Sequence, residues 1–313
     1  MSSHSVETTN PTLIMVLGTS RSGSTMLDVM LGNASDAFSC GEVSAWFRPF
    51  RTEHFQIDCL CSQNPCPVWA KVKDVLEGNF HAAVIKGLNV NYVIDSSKDI
   101  CWCIDAQRWA SRSGMRIVNI VIWKDPIELA YSYWKRGRKA SSWRKSFVSA
   151  YGRIIQVKLP FLSVRYSKMA SDPARSLEKL CNVIGMPYFQ GKERFWEKRQ
   201  HHLFGSDGIR LQIAAGKSSI VLKNTYPDEF DEYRTHLQKQ IDQDGEIQHI
   251  IQALTDADAL HDGGNLNQNN VLTASLPLWY YRKRLIRWFR RYIPEPYKNN
   301  TVNVETIPLN HSG

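Results

Sequence analysis

The short apolar run at residues 13–17 constrains the fold most, because it ends in a glycine-rich turn that leads directly into a helical pattern. The turn at residues 18–25 reads Gly-Thr-Ser-Arg-Ser-Gly-Ser-Thr, and apolar residues then recur at helical spacing through residue 32. Glycines in such a turn let backbone amides approach an anion, and the positive end of the following helix points to the same place. The chain is therefore predicted to open with a strand, an anion-binding loop and a helix.

Three further apolar runs repeat this arrangement. Residues 92–95, 116–122 and 161–166 each read as a short strand, and a helical pattern follows each of them. Strands that alternate with helices predict an α/β fold, here a P-loop-like parallel sheet flanked by helices on both faces. Ligands of such sheets bind at the C-terminal ends of the strands, so the catalytic groups are expected there.

Composition divides the rest of the chain. The predicted divisions are a flexible N-terminal tail (1–11), a catalytic domain (12–261), a polar linker (262–275), a basic amphipathic helix (276–293) and a C-terminal tail (294–313). Most of the net charge of +9 belongs to residues 276–298, which hold seven basic residues and one acidic residue. A nucleic-acid-binding domain would spread its basic residues over a folded face, so no nucleic-acid partner is expected.

The segment 276–293 carries an apolar and aromatic stripe at helical spacing, with basic residues away from its centre. Two interpretations stay open: the stripe packs on this domain or on a second copy in a homodimer, or the helix lies on an anionic membrane. The N-terminus does not read as a signal peptide, no stretch of 18 apolar residues is present, and the cysteines number seven, which is odd. The expected location is the reducing cytoplasm, with peripheral contact to the inner membrane surface under the second interpretation.

The glycine loop almost matches the phosphate loop of nucleoside triphosphatases, G-x-x-x-x-G-K-[ST]. Ser24 occupies the lysine position, and the cation within the loop is Arg21. The missing lysine argues against tight binding of β- and γ-phosphates, so a P-loop nucleotide-dependent kinase is the weaker alternative. Turnover without magnesium would exclude that kinase. An ordinary glycine turn before a helix is the other interpretation of this loop.

A second cationic position follows the strand at 116–122. Lys124 stands at the strand end, Pro126 suits the first turn of the next helix, and Ser132 lies one to two turns further on. A cation at a strand end and a hydroxyl on the following helix can together hold a second phosphate. A solvated lysine that flanks the strand is the alternative.

In this order, the elements resemble the sulfotransferases that use 3′-phosphoadenosine 5′-phosphosulfate (PAPS), close to bacterial members and to the carbohydrate and tyrosyl-protein branches. The glycine loop is similar to the family's 5′-phosphosulfate loop, R-S-G-[ST]-[ST]. Lys124 and Ser132 are similar to its 3′-phosphate element, where arginine is usual and makes a forked contact that lysine cannot make. Residues 164–185 resemble its R-Y-E-D-L run and the pattern after it, with Ser167 in place of the usual acid. The resemblance covers about residues 13–200.

The resemblance implies PAPS as sulfonate donor and a sulfotransferase fold that needs no metal. The donor would be bound by residues of the loop and of the 3′-phosphate element: Arg21, Ser22, Gly23, Ser24, Thr25, Lys124 and Ser132. Arg210 joins them, because residues 205–210 loosely match a late G-N-x-x-R run of the family, with Ser206 in place of the asparagine.

Two further motifs imply catalytic roles through the same resemblance. Glu42 follows Cys-Gly, as the base does in the tyrosyl-protein branch, and Lys98 belongs to a bacterial-type D-S-S-K run. Glu42 would take the acceptor proton, while Lys98 and Arg21 would stabilise charge that grows on the sulfonyl and leaving oxygens. His201 and His202 are the rival bases.

The implied acceptor is a hydroxyl or amine of a small molecule, carbohydrate or lipid that attacks sulfur in line. Residues 44–87, an irregular insertion, and residues 136–160 are expected to set its identity. A non-enzymatic membrane-surface adaptor built on the basic segment is the last alternative. It leaves the anion-binding elements unused, and calorimetry with the donor would distinguish the two.

Cys59, Cys61 and Cys66 raise the question of a metal. Zinc sites usually combine four ligands with C-x₂₋₄-C spacing. The run here gives C-x-C and one further cysteine, and Cys101 and Cys103 would have to complete the site from a distance. The sequence therefore predicts free thiols or ordinary packing, and no metal.

Overall fold

The structure, a computed structural model, describes residues 10–56, 58–217, 226–261 and 276–291. The chain divides into two compact units, Met1–Ala274 and Ser275–Gly313. The predicted linker at 262–275, the C-terminal tail at 294–313 and residues 1–9 of the N-terminal tail lie outside the described residues.

Within the described part of the first unit, five parallel strands form one sheet in the order β2-β3-β1-β4-β5. The strands are β1 (Thr12–Leu17), β2 (Ala37–Gly41), β3 (Tyr92–Asp95), β4 (Arg116–Trp123) and β5 (Leu162–Arg165). The central strand β1 pairs with β3 from Thr12 opposite Tyr92, and with β4 from Thr12 opposite Arg116. The predicted α/β fold with a parallel sheet is confirmed.

Helices connect and cover the strands. They are α1 (Ser24–Leu31), α2 (Val43–Phe47), α3 (Phe80–Leu88), α4 (Ile100–Arg112), α5 (Pro126–Trp134), α6 (Trp143–Phe147), α7 (Arg153–Gln156), α8 (Tyr166–Ser171), α9 (Pro173–Ile184), α10 (Asp207–Ala215), α11 (Asp228–Gln243) and α12 (Gly245–Asp256). Short 3₁₀ turns lie at Thr52–Phe55, Trp69–Lys71, Glu77–Asn79, Ala140–Ser142 and Phe195–Glu197, and a π-helical turn spans Val148–Gly152.

Both faces of the sheet are buried. Ile14 and Val16 of β1 belong to an apolar cluster that includes the inner sides of α1 and α9. Leu13, Met15 and Leu17 alternate with them and therefore face the opposite side, where they are equally buried. A strand that is apolar at successive residues is typical of a parallel sheet covered by helices on both faces.

Aromatic packing holds the predicted irregular insertion at 44–87. Phe47 of α2 stacks on Trp102 of α4 with ring centroids 5.8 Å apart, and Trp69 stacks on Phe80 at 6.1 Å. The insertion is thus fixed to the body by ring contacts, with no strand of its own among the residues described there.

The second unit contains α13 (Leu278–Arg291), which lies within the predicted helical segment 276–293. Across the described residues, no helix combines the length and the apolar character needed to cross a membrane.

Candidate active site

The glycine loop joins β1 to α1 and is shaped to receive an anion. Gly23 precedes α1 with φ of 102°, and a Cβ added there would lie 2.5 Å from the Tyr166 ring, so glycine is required. Gly23 has no side chain with which to cap α1, so the amides of the first turn are left for a ligand. The Thr19 amide donates to the Tyr151 hydroxyl at 3.4 Å, and the Ser22 hydroxyl donates to the Thr19 carbonyl at 2.9 Å. These contacts fix the loop without a ligand.

Arg21 sits in the loop with φ of 76°, in the left-handed region. Its guanidinium donates from Nη1 to the Ser206 hydroxyl at 3.3 Å, at the start of α10. Burial lowers the pKa of Arg21, and the nearby charges of Arg136 and Arg138 lower it further, whereas Asp207 opposes the shift. The side chain is thus a desolvated cation under repulsion, which an anionic ligand would relieve.

Lys124 lies just beyond the end of β4 and carries a second cation to the same region. Its Nζ is 4.1 Å from the centroid of the Tyr166 ring, the ring that closes on Gly23. Burial lowers the pKa of Lys124 to about 8, against the effect of Glu128. The charge of Arg21 contributes to that lowering. Lys124 and the loop therefore belong to one electrostatic site.

Sequence reasoning missed the other cations of this site. Lys135 and Arg136 lower the pKa of Lys124, and Arg136 and Arg138 lower that of Arg21. All three follow the C-terminal end of α5 in the run Lys-Arg-Gly-Arg, which was the available signal. A concentration of positive charge at strand ends is complementary to a ligand with several negative charges.

Glu42 and Lys98 meet beside the loop. They follow β2 and β3, which are neighbours in the sheet, so both side chains start from the same edge. The Lys98 Nζ donates to Glu42 Oε1 at 2.5 Å and to the Ser24 hydroxyl, in the first turn of α1, at 3.1 Å. The fold therefore brings the predicted base and the predicted cation into contact with each other, and the cation into contact with the anion loop.

A buried carboxylate positions the turn that carries Lys98. Asp95 accepts hydrogen bonds from the Ser97 amide at 2.9 Å, from His81 Nε2 at 2.9 Å and from Trp102 Nε1 at 2.7 Å. The Ser97 hydroxyl in turn accepts from the Ser44 amide at 3.0 Å, two residues after Glu42. The loops that carry Glu42 and Lys98 are thus joined by the hydrogen bond between Ser44 and Ser97 as well as by the ion pair between Lys98 and Glu42.

Two of the residues predicted to bind the sulfonate donor lie apart from these contacts. Ser132 is half-buried on α5, the helix that follows Lys124. Arg210 forms an ion pair with Asp58 at 2.5 Å and also donates to the Phe204 carbonyl at 3.4 Å. A role for Arg210 at a phosphate would require it to leave this ion pair.

The paired histidines occupy different environments. His202 is fully buried, its Nδ1 lies 2.7 Å from the Ser39 hydroxyl, and burial lowers its pKa to about 3. A buried ring with so low a pKa is a poor acceptor for a substrate proton. His201 instead has its Nδ1 3.2 Å from the Cys66 sulfur.

Asp28 is a site-adjacent residue that sequence reasoning missed. It lies on α1 among apolar residues and is fully buried, with Oδ2 3.4 Å from His202 Nδ1. Burial raises the pKa of Asp28 to about 7, although the hydroxyls of Ser39 and Ser96 and the charge of Lys98 oppose the shift. A lone acid in an otherwise apolar helix was the signal for it.

No protein-family model matches the chain, and a search of curated proteins finds no relative. Among solved structures, the chain is similar to the sulfotransferase domain from the curacin biosynthetic pathway, with a TM-score of 0.49 and 17% identity over 78% of this chain and 98% of that chain. It is also similar to the sulfotransferase domain from the Synechococcus PCC 7002 olefin synthase, with a TM-score of 0.46 and 16% identity over 92% of this chain and 98% of that chain. Both are similarities to sulfotransferase domains.

Proposed function

We propose that the protein is a sulfotransferase that moves a sulfonate group from PAPS to a hydroxyl or amine of a small molecule, carbohydrate or lipid. The observation that carries the proposal is the position of Lys98, which bonds to Glu42 on one side and to Ser24 of the anion loop on the other. Sulfonate transfer needs a base for the acceptor, a cation for the leaving oxygen and a cradle for the donor. These three groups are adjacent here.

In the proposed reaction, the 5′-phosphosulfate lies on the loop amides and on Arg21. Glu42 accepts the proton of the acceptor hydroxyl or amine, whose lone pair forms the new bond to sulfur. The bond between sulfur and the oxygen that bridges it to phosphorus breaks, and its electron pair stays on that oxygen. Lys98 turns from Glu42 toward the bridging oxygen and stabilises this charge, so that catalysis rests on positioning and electrostatics.

The cations beyond the loop support a donor with a second phosphate. The charges of Arg21, Lys124 and Arg136 repel one another in a partly buried region. A 3′-phosphate near Lys124 would neutralise this repulsion, and Ser132 on the following helix supplies a hydroxyl. The nucleoside triphosphate of a kinase would instead place its additional phosphates in the loop. There, Ser24 stands in the position of the lysine that would bind them.

Replacing Lys124 with alanine is expected to weaken binding of adenosine 3′,5′-bisphosphate roughly tenfold or more, because a charged hydrogen bond contributes about 1.5–3 kcal/mol. Affinity for adenosine 5′-monophosphate, which lacks the 3′-phosphate, should change much less. Calorimetric titration of both nucleotides without magnesium measures the difference. The exposed Lys73→Ala variant is the matched control for loss of a positive charge.

Equal affinity of the unaltered protein for the two nucleotides would contradict the assignment of PAPS as donor. A turnover assay with labelled PAPS and a broad set of acceptors then tests the transfer itself. Turnover in that assay should persist when magnesium is chelated, which a kinase would not tolerate.

A further inference from the structure

The fold brings a fourth potential metal ligand to the three cysteines that the sequence left unassigned. The ligand atoms of Cys59, Cys61, Cys66 and His201 all lie within 4.8 Å of one another. His201 is separated from Cys66 by 135 residues, so spacing along the sequence gave no sign of it. Within the described residues, the four side chains form one compact cluster of three thiols and one imidazole.

The distances fit a tetrahedral ion. Zinc binds sulfur at about 2.3 Å and nitrogen at about 2.0–2.1 Å, which places the ligand atoms of a tetrahedral site about 3.5–3.8 Å apart. His201 Nδ1 lies 3.2 Å from the Cys66 sulfur and 4.0 Å from the Cys59 sulfur, on either side of that range. Small side-chain adjustments, of about 1 Å or less, would bring all four ligand atoms onto one ion.

The backbone arranges the cysteines for this purpose. The chain turns at Cys59, whose carbonyl accepts from the Ser62 amide at 3.1 Å, and the turn places two sulfurs on one side despite the C-x-C spacing.

Hydrogen bonds to the backbone hold the segment that carries His201 in place. Trp69 Nε1 donates to the His201 carbonyl at 2.7 Å, and the Leu60 amide donates to the His202 carbonyl at 3.0 Å. Three thiolates, one neutral imidazole and one Zn²⁺ carry a net charge of −1. Arg199 contacts the Cys61 carbonyl at 3.5 Å and supplies a nearby positive charge.

We propose a structural zinc site with four protein ligands: Cys59, Cys61, Cys66 and His201. Four protein ligands close the coordination sphere of zinc, which is the pattern of structural sites, whereas catalytic sites keep a position for water or substrate. Cys59 and Cys66 are buried and the other two ligands are half-buried, so the ion would be shielded from bulk solvent. The proposal is independent of the sulfotransferase proposal, because it concerns a different cluster of residues.

The site would connect the insertion to the loop that carries Glu42. Leu203, two residues after His201, accepts from the Glu42 amide at 3.1 Å and donates to the Cys40 carbonyl at 3.1 Å. On its other side, Phe204 donates to the Asp58 carbonyl at 2.9 Å. An ion bound by Cys59 and His201 would therefore clamp the segment against which the Glu42 backbone is bonded.

The test is the metal content and spectrum of the full chain. Protein purified under reducing conditions without added metal should contain about one zinc ion per chain by elemental mass spectrometry. After the zinc is removed with a chelator, cobalt(II) should restore the visible absorption of a tetrahedral thiolate site. The metal-free protein should also melt at a lower temperature, because metal binding stabilises the folded state.

Cys61→Ser removes the most accessible cysteine ligand, and Cys181→Ser removes a buried thiol outside the cluster as a matched control. Loss of a residue that only orients a ligand costs 10–100-fold in metal affinity, so loss of a ligand itself should cost at least about as much. The control should keep its zinc. The proposal is overturned if the unaltered chain holds no zinc and gives no cobalt spectrum, if two of the three cysteines form a disulfide, or if Cys61→Ser binds zinc as tightly as the control. None of these readouts depends on sulfotransferase activity.

Discussion

Glu42→Gln is expected to lower turnover of a sulfonate acceptor by about 10²-fold or more, because an amide cannot accept the proton that the attacking hydroxyl or amine must lose. Glutamine has nearly the same size and keeps an oxygen for the Lys98 ammonium, which donates to Glu42 Oε1 at 2.5 Å. Donor affinity should therefore change little. Steady-state turnover and calorimetric donor titration, measured on the same preparation, separate the two effects.

Lys98→Ala should lower turnover by a similar factor for a different reason. The ammonium is the cation placed between the anion loop and the base, at 3.1 Å from the Ser24 hydroxyl. Its loss removes charge that opposes the developing negative charge on the leaving oxygen, an effect that costs about 10²–10³-fold for a positioned hydrogen-bond donor in a site of this kind. Donor binding should weaken as well, in contrast to Glu42→Gln.

Glu53→Gln is the matched control for Glu42→Gln, because Glu53 is exposed on the insertion that follows Glu42 in the chain. It should leave turnover and donor affinity unchanged. If Glu42→Gln retains normal turnover while Lys98→Ala is impaired, Glu42 is not the base. If both variants turn over normally, the proposed arrangement of the active site is wrong.

The strands that could be predicted were those rich in valine, isoleucine and other apolar residues. Residues 92–95 were predicted as a strand and form β3 (Tyr92–Asp95), and the prediction at 116–122 differs from β4 by one residue. The strand β2 was missed because Ala37-Phe-Ser-Cys-Gly has no continuous apolar run. Its extended form depends on pairing with β3, through Ala37 opposite Tyr92, and such pairing is a tertiary contact.

The candidate site divides in the same way. Local motifs and the family resemblance pointed to Glu42 and Lys98, but their contact depends on the pairing of β2 with β3, which the sequence did not predict. The cluster of His201 with the cysteines could not be predicted, because the path of the chain from Cys66 to His201 decides it. The same holds for Arg136, which lies beyond the end of a helix and reaches the loop only in the folded chain.

The buried carboxyl group of Asp28 gives a prediction about the pH dependence of stability. Asp28 ionises near its ordinary pKa of 3.8 in the unfolded chain, whereas burial raises its pKa in the folded chain to about 7. Between those values the unfolded chain binds fewer protons than the folded chain. The contribution of Asp28 to the free energy of unfolding therefore falls as the pH rises from about 4 to about 7, and then stays constant.

Asp28→Asn removes this titration and keeps the size of the side chain. The free energy of unfolding of Asp28→Asn minus that of the unaltered protein should increase between pH 4 and pH 7.5, by up to about 4 kcal/mol at about 1.4 kcal/mol per pKa unit. Contributions from groups that do not contact Asp28 are common to both proteins and cancel in this difference. Urea unfolding at several pH values measures it.

Asp74→Asn is the control, because the Asp74 side chain is exposed and its replacement should change the free energy of unfolding by the same amount at each pH. A difference for Asp28→Asn that stays flat from pH 4 to pH 7.5 would mean that the folded chain accommodates the ionised carboxylate without cost. A difference that falls with rising pH would mean that the ionised form is stabilised, for example by the Lys98 ammonium, whose charge acts in that direction. Lys98 would then stabilise the ionised Asp28 carboxylate in addition to contacting Glu42. In that case, Lys98→Ala should reverse the sign of the pH dependence.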